Sequence, residues 1–316
     1  MRHTQLLIIL PLACVLAGPA AAQEAACTKQ LKLDNEIQME SRGPGPSQVP
    51  VEIDGTRQNL VFATAGTATQ ISEDTAKSLG LAISPSDLAL FDARGNAHSN
   101  KVTAKSFAVG TMQGSNVELS VAPPGGRGLF SLSHMLPFDI DVDFGTDKLR
   151  FFSQDHCPGG VLYWQASVVG VLPMTIDKGR VTVPVEIDGK ALTGVIDTAA
   201  MGLRFKDAVA DKVLGLGEGM TGKSHTGMLR LNQLGLRNIK FDIVSNGAIE
   251  SGSITATARN RSAALQNALA QPEVVIGMDL LRKLHLYMAF GEKKLYITPA
   301  SARPAPAAAP PQPAAN

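Results

Sequence analysis

Two stretches of the chain alternate apolar and polar residues in the same order before an Asp-Gly pair. Residues 49–55 and 183–189 share the sequence VPVEIDG, at an offset of 134 residues. Alternation with a period of two predicts a strand, and the Asp-Gly pair predicts a tight hairpin turn after it. A second apolar strand follows in each copy, at residues 59–62 and 193–196. The chain therefore contains an internal repeat that opens with a β-hairpin.

The rest of the pattern repeats as well. Short helices are predicted at residues 73–79, behind the candidate N-cap Ser72, and at residues 206–213, and a glycine follows each helix at Gly80 or Gly215. The ends of the two copies match with an offset of 146, so the second copy has about 12 extra residues, which we place between residues 220 and 272. Short apolar runs separated by Gly and Asp fill most of each copy, and they predict a mainly β fold with little helix.

The two ends of the chain lie outside the repeat. Residues 1–22 have the order of a secretory signal peptide, with a basic start, a short apolar stretch and small residues before a cleavage site after Ala22. Lipid attachment at Cys14 is an alternative, although the proline three residues earlier disfavours it. We predict a first lobe at residues 23–152, a linker at 153–170, a second lobe at 171–300, and a disordered Pro/Ala tail at 301–316.

Charge and cysteine content narrow the functional classes. The chain has 29 basic and 28 acidic residues, and removal of Arg2 with the signal balances them, so no electrostatic footprint for nucleic acid is present. The same cleavage removes Cys14 and leaves Cys27 and Cys157. An even pair in an exported protein favours one disulfide in the periplasm or outside the cell, and two free buried thiols are the alternative.

A family resemblance rests on the segment that follows the second strand of each copy. In copy two it reads Asp197-Thr198-Ala199-Ala200, and in copy one residues 63–66 read ATAG. A later segment of copy two, residues 275–279, reads VIGMD and contains Gly277. The order of strand, hairpin, Asp-Thr-small-small, short helix and apolar-apolar-Gly resembles the retropepsin-like aspartic proteases. The resemblance implies two tandem lobes of the closed β-barrel type with a cleft between them.

The resemblance also assigns roles to particular residues. In that family each lobe supplies one aspartate to a catalytic pair that shares a proton. Asp197 matches one of them, whereas Ala63 stands at the place of the other. Thr64 and Thr198 match the threonines that hydrogen-bond across the lobe interface, and Ala199 and Gly277 match the active-site loop and the segment packed beneath it. Asp197 also has a plainer interpretation, because an aspartate after a strand often caps a turn.

Three functions remain open at this point. The first is an aspartic endopeptidase that cleaves an exported polypeptide or the periplasmic part of a membrane protein, with the second carboxylate from elsewhere in the cleft or from Asp197 of another chain in a homodimer. Glu52 and Asp54 are candidates for that carboxylate, but their place beside a hairpin favours surface positions. The second function is a pseudo-peptidase that binds extended peptides without cleaving them. The third is a structural scaffold. No cofactor, metal or nucleic-acid partner is predicted for any of them.

The remaining candidates are weaker. Asp139, Asp141 and Asp143 alternate with apolar residues, which predicts a strand with one solvated face and disfavours a metal site. Residues 123–128, PPGGRG, are interpreted as a turn or a mobile loop. The family's substrate-covering hairpin has two candidates, at residues 93–113 and 219–231, both rich in Gly and small polar residues.

Overall fold

A computed structural model describes residues 27–302 except 42, 44, 67, 178, 249–252 and 256–273, and for residues 253–255 it gives the backbone alone. The predicted signal peptide and most of the predicted tail lie outside this part of the chain, as does much of the segment assigned to the extra residues of copy two. None of the helices within the described residues has the length and apolar character needed to cross a membrane.

The first repeat is almost entirely β. Its elements are β1 (Leu33–Gln38), β2 (Gln48–Ile53), β3 (Thr56–Ala63), β4 (Gln70–Ile71), α1 (Glu73–Ser78), β5 (Ser84–Phe91), β6 (Ala97–Val109), β7 (Met112–Val121), β8 (Leu129–Ser131), a 3-10 turn (Leu132–His134), β9 (Asp139–Asp143) and β10 (Lys148–Phe152).

The second repeat has the same character. Its elements are β11 (Gly170–Pro173), β12 (Thr175–Asp177), β13 (Arg180–Ile187), β14 (Lys190–Ile196), β15 (Leu203–Lys206), α2 (Asp207–Lys212), β16 (Ser224–Leu231), β17 (Leu234–Val244), β18 (Ser253–Thr255), β19 (Val274–Ile276), α3 (Met278–Leu281), β20 (Leu284–Ala289) and β21 (Lys294–Pro299). The predicted mainly β fold is confirmed.

Each repeat closes into a barrel of six strands. In the first repeat the order around the barrel is β6-β2-β3-β8-β4-β7, and the pairing of β7 with β6 closes it. In the second repeat the order is β16-β13-β14-β19-β15-β17, and the pairing of β17 with β16 closes it. The strands occupy equivalent places in the two barrels, so the predicted pair of tandem closed-barrel lobes is confirmed.

The predicted hairpins and helix caps form for the reasons that the sequence suggests. Asp54 and Asp188 have positive φ angles of 49°, and the glycine after each is also left-handed, as a two-residue Asp-Gly hairpin turn requires. The Oγ atom of Ser72 accepts a hydrogen bond from the backbone N–H of Thr75 and caps α1. Gly80 ends that helix with a φ of 66°.

The ends of the two repeats join in a third sheet. Its order is β1-β10-β9-β20-β21-β11, so three strands of each repeat lie side by side. At its centre β9 pairs antiparallel with β20, with Val142 opposite Leu286. The Cys27–Cys157 disulfide ties the arm before β1 to the segment after β10, with 5.6 Å between the Cα atoms. The predicted disulfide is therefore present, and the alternative of two free thiols is excluded.

The prediction of a solvated face on β9 is wrong. Asp139, Asp141 and Asp143 are 0–2% exposed. Burial of these carboxylates is compensated by partners: His156 lies 2.7 Å from Asp139, and His285 lies 2.8 Å from Asp141. The alternation along β9 is real, but part of the linker, including buried Val161 and partly buried Trp164, packs in an apolar cluster with residues of the third sheet.

Candidate functional site

The site lies where one loop from each barrel meets the other. In each barrel the strand before the loop runs parallel to a later, non-consecutive strand. Ala63 at the end of β3 is opposite Ser131 of β8, and Ile196 at the end of β14 is opposite Ile276 of β19. The backbone N–H of Asp197 continues this second pairing and donates to the carbonyl of Ile276 at 3.0 Å. Asp197 is therefore positioned by two strands that are far apart in sequence.

Thr64 and Thr198 link the two loops by reciprocal hydrogen bonds. The hydroxyl of Thr64 donates to the carbonyl of Ile196, and the hydroxyl of Thr198 donates to the carbonyl of Phe62, each at 2.6 Å. The backbone N–H of each threonine donates to the hydroxyl of the other, at 3.0 and 3.2 Å. Both residues are fully buried. The buried polar groups of both loops therefore find hydrogen-bond partners in the opposite lobe.

Asp197 is a buried carboxylate, with 9% of the residue exposed. Its Oδ1 atom accepts hydrogen bonds from the backbone N–H groups of Ala199, at 2.9 Å, and Ala200, at 3.2 Å. Burial raises the pKa of Asp197, against the lowering effects of these N–H groups and of the positive charges of Arg204 and Arg127. Oδ1 therefore caps the turn after β14, as the plainer interpretation of Asp197 predicts.

Gly277 permits the close packing of the segment beneath this loop. A Cβ atom added there would press against the carbonyl oxygen of Gly202 and lie 2.7 Å from that of Met201. The same approach lets the N–H of Met278 donate to the carbonyl of Ala200 at 2.9 Å. The glycine is therefore required by space, because its φ of −102° is open to any residue.

Lobe one supports its loop differently. Ser131 stands at the place of the glycine, and its backbone N–H donates to the hydroxyl of Thr69 at 3.1 Å. Thr69 in turn lies 2.8 Å from Nδ1 of His134. Burial lowers the pKa of His134, so this group is neutral near pH 7. Lobe one thus has hydrogen bonds from hydroxyl side chains where lobe two has close backbone packing at Gly277.

Ala63, at the place of the second aspartate, lies in an apolar contact. It is fully buried with Val61 and Leu129, and Ala199 of the other lobe packs against this group. Asp54 lies in its hairpin turn, where it accepts a hydrogen bond from the N–H of Ser106 at 2.8 Å, and Glu52 is exposed. The site as described contains one buried carboxylate, and both charged groups that act most strongly on it are cationic.

Arg127 is a functional candidate that the sequence analysis missed. It belongs to residues 123–128, where the predicted turn is present because the N–H of Gly126 donates to the carbonyl of Pro123 at 2.7 Å. The Nη2 atom of Arg127 donates to the carbonyl of Ala199 at 3.4 Å, so a lobe-one cation contacts the Asp197 loop. The sequence carries no signal of this contact, because it depends on how the two barrels face each other.

The two candidate flaps have different structures. Residues 93–113 contain β6, whose hairpin with β5 turns at residues 92–96. In that turn Asp92 accepts hydrogen bonds from the N–H groups of Arg94 and Asn96, and the hydrogen bonds from Asn96 lower the pKa of Asp92 to about 2. Residues 219–231 contain β16. A strand from lobe two, β18, pairs antiparallel with the free edge of β5, with residue 254 opposite Leu90. Coverage of substrate by either hairpin stays a prediction.

Comparison with known proteins gives one sequence match and several remote structural ones. A family model described as aspartyl protease matches residues 49–134. No curated protein sequence matches the chain. The structure is similar to the aspartic proteinase from Irpex lacteus, with a TM-score of 0.47 and 12% identity over 84% of this chain and 97% of that one. Basic 7S globulin from soybean gives a TM-score of 0.46 and 8% identity, over 85% and 95% of the two chains. Conglutin gamma from lupine seeds gives a TM-score of 0.47 and 7% identity, over 85% of this chain and 95% of that one.

The family match falls on the repeat that lacks the aspartate. Its range begins at β2 and ends with the 3-10 turn after β8, so it covers the whole first barrel. The second barrel has the same strand order and contributes the matching threonine to the same interface. The structural similarities are too remote to transfer a residue's role to this chain. A family model described as aspartyl protease thus matches the first barrel, and the internal repeat extends the same architecture to the lobe that contains Asp197.

Proposed function

We propose that this protein is an aspartic endopeptidase and that Asp197 is the residue that activates water. The observation that carries the proposal is the buried Asp197 carboxylate, fixed through Oδ1 in a loop that the threonine pair braces. Burial raises its pKa, which makes the ionised form a stronger base than an exposed aspartate. Braced position and raised proton affinity are what a general base needs.

The proposal places the catalytic unit within one chain. A homodimer that brings two Asp197 residues together would need the loop contacts of Thr198 to face a second copy. In this structure Thr198 is bonded to Phe62 and Thr64 of its own chain. The homodimer predicted as one route to a second carboxylate would therefore first have to separate the two lobes, at the cost of these buried hydrogen bonds.

The proposed substrate is an exported or periplasmic polypeptide. The predicted signal peptide supports export, and the Cys27–Cys157 disulfide supports residence in an oxidising compartment, the periplasm or the exterior. A polypeptide suits the inter-lobe cleft that the resemblance implies, because an extended chain can add its backbone hydrogen bonds to a strand edge.

The test compares the purified mature protein with its Asp197→Asn variant. Each is incubated with denatured periplasmic protein from acid to neutral pH, and new peptide termini are identified by mass spectrometry. Asparagine keeps the Oδ1 acceptor for Ala199 and Ala200 but cannot take a proton, so we expect cleavage to disappear. Asp177→Asn, which changes an exposed aspartate of the same lobe, is the matched control and should cleave normally. Equal cleavage by wild type and Asp197→Asn would refute the assignment.

A second candidate function is supported by the apolar residue at position 63 of lobe one. Ala63 fills the place of the missing carboxylate with an apolar contact to Ala199. A protein with one carboxylate and an intact lobe interface is suited to hold an extended peptide without cleaving it. This alternative predicts that wild type and Asp197→Asn bind a peptide or a pepstatin-type inhibitor equally well and that neither cleaves. Titration of both proteins with the same labelled peptide library separates it from the first proposal.

A further inference from the structure

We infer that Arg127 is the second catalytic group of this site, a cation contributed by lobe one in place of the aspartate that lobe one has lost. It would donate a hydrogen bond to the carbonyl oxygen of the scissile peptide while Asp197 takes a proton from the attacking water. The inference rests on the proposed endopeptidase function and names the residue that completes it.

The backbone of Arg127 is anchored. The amide of Gln70 donates to the carbonyl of Arg127 at 3.2 Å, and the N–H of Val61 donates to the carbonyl of Gly128 at 3.0 Å. Gly128 is packed closely, since a Cβ atom there would lie 2.5 Å from Leu60. Arg127 is thus held from one side by Gln70 of β4 and from the other by β3, the strand that ends at Ala63. Its side chain starts from a fixed point on the lobe-one side of the site.

The guanidinium of Arg127 reaches the other lobe. Its Nη2 atom donates to the carbonyl of Ala199, whose own N–H donates to Asp197. The Arg127 charge also acts on the Asp197 carboxylate. The side chain is exposed, and a guanidinium has five N–H donors, so donors remain for a substrate oxygen. Arg204 also acts on Asp197, but it extends from β15 of the same lobe and is partly buried.

The step balances with one carboxylate. Water attacks the carbonyl carbon of the peptide, and Asp197 receives one of its protons. The negative charge that develops on the carbonyl oxygen is stabilised by Arg127, as charged donors stabilise oxyanions elsewhere. When the C–N bond breaks, protonated Asp197 returns the proton to the leaving nitrogen, and the products are a carboxylic acid and an amine. No second carboxylate and no co-reactant is needed.

This arrangement has a pH signature that a carboxylate pair lacks. A pair of aspartates works only while it shares one proton, so its activity rises and falls within the acid range. With Arg127 as the partner, only Asp197 must be ionised, and the guanidinium stays protonated throughout. Activity should therefore rise as the pH passes the Asp197 pKa and hold a plateau up to neutral pH.

The experiment measures kcat and KM of wild type, Arg127→Gln, Arg127→Lys and Arg127→Ala on one peptide cleaved by the wild type, with Arg237→Gln, an exposed lobe-two arginine, as control. Loss of one oxyanion donor lowers kcat by about 100-fold or more, so we expect that loss in Arg127→Gln with little change in KM. Arg127→Lys should retain part of the activity, and added guanidinium at a non-denaturing concentration should partly restore Arg127→Ala.

A second readout does not depend on turnover. NMR titration of ¹³C-labelled aspartate carboxyls should show a higher Asp197 pKa in Arg127→Gln than in wild type, since a nearby cation has been removed. If Asp197→Asn abolishes cleavage but Arg127→Gln cleaves like Arg237→Gln, the inference is overturned and the proposed function stands. If the wild type itself cleaves nothing, the proposed function fails, and the catalytic role of Arg127 fails with it.

Discussion

Replacement of Thr198 by valine tests whether the reciprocal threonine contacts hold the two lobes together. Valine has nearly the same shape, so packing is preserved while the hydroxyl is removed. Two buried backbone groups then lose a partner: the carbonyl of Phe62, which accepts from the hydroxyl at 2.6 Å, and the N–H of Thr64, which donates to it at 3.0 Å. An unsatisfied buried group costs about 1–3 kcal/mol, so the free energy of unfolding should fall by about 2–6 kcal/mol.

This decrease is a large part of the total free energy of unfolding. The free energy of unfolding of a protein is typically about 5–15 kcal/mol, so Thr198→Val should visibly shift the unfolding midpoint. Urea unfolding can be followed by the fluorescence of Trp164, the one tryptophan of the chain. Its ring stacks on that of His285 in the third sheet, with 4.0 Å between the ring centroids. Far-ultraviolet circular dichroism, recorded in parallel, reports on the strands of both barrels.

Two further variants make the interpretation specific. Thr64→Val breaks the symmetric pair of contacts, to Ile196 and to the N–H of Thr198, and should cost a similar amount. Because both substitutions act on one interface, the double variant should lose less than the sum, by about 0.5–3 kcal/mol. Thr103→Val, on an exposed position of β6, is the control. If Thr198→Val is no less stable than Thr103→Val, the interface does not depend on these bonds and the reasoning is refuted.

Three other predictions follow from the site and the disulfide. Because burial raises the pKa of Asp197, its ionisation opposes folding, and the stability of the wild type should fall as the pH rises from the pKa of the unfolded state to that of the folded state. Asp197→Asn should be more stable than wild type at neutral pH, by about 1.4 kcal/mol for each tenfold difference in proton affinity between the two states, and equally stable near pH 3. Urea unfolding of both proteins at the two pH values measures this difference. Gly277→Ala should displace the Asp197 loop and lower both stability and cleavage, seen as a lower melting temperature and lower kcat. The double variant Cys27→Ala/Cys157→Ala removes the disulfide between residues 130 apart in sequence and should lower the free energy of unfolding by about 2–5 kcal/mol. Hydrogen-exchange rates in loops away from this disulfide should stay unchanged.

Local features of the fold were predictable because short-range chemistry determines them. The Asp-Gly turns after residues 53 and 187 need two left-handed residues, and few residue pairs other than Asp-Gly suit them. The repeat predicted two equivalent lobes, and the pairing of Cys27 with Cys157 followed from their number once the signal peptide was excluded. In these cases the information lies within a few residues or in the identity of the two copies.

Long-range features were not predictable. The three aspartates of β9 alternate as a solvated strand would, but the linker that packs against the third sheet has no periodic pattern that shows which strand it covers. The segment that contains Arg127 predicts only a turn. The contact of Arg127 with Ala199 exists because the two closed barrels face each other. Such contacts depend on the complete packing of the chain and leave no periodic trace.

Alanine at position 63 is compatible with the fold, because the groups that hold that loop are not carboxylates. Thr64 makes the contacts to the other lobe, and Gly66 packs so closely that a Cβ atom there would lie 3.0 Å from that of Ala63. A second buried carboxylate beside Asp197 would add desolvation and like-charge repulsion, whereas alanine adds only apolar contact with Ala199. Lobe one therefore shares its strand order and its interface threonine with lobe two, although Ala63 stands where lobe two has Asp197. The family match over residues 49–134 therefore lies on the barrel that provides Thr64 and Arg127, while Asp197, the carboxylate proposed to be catalytic, lies in the other barrel.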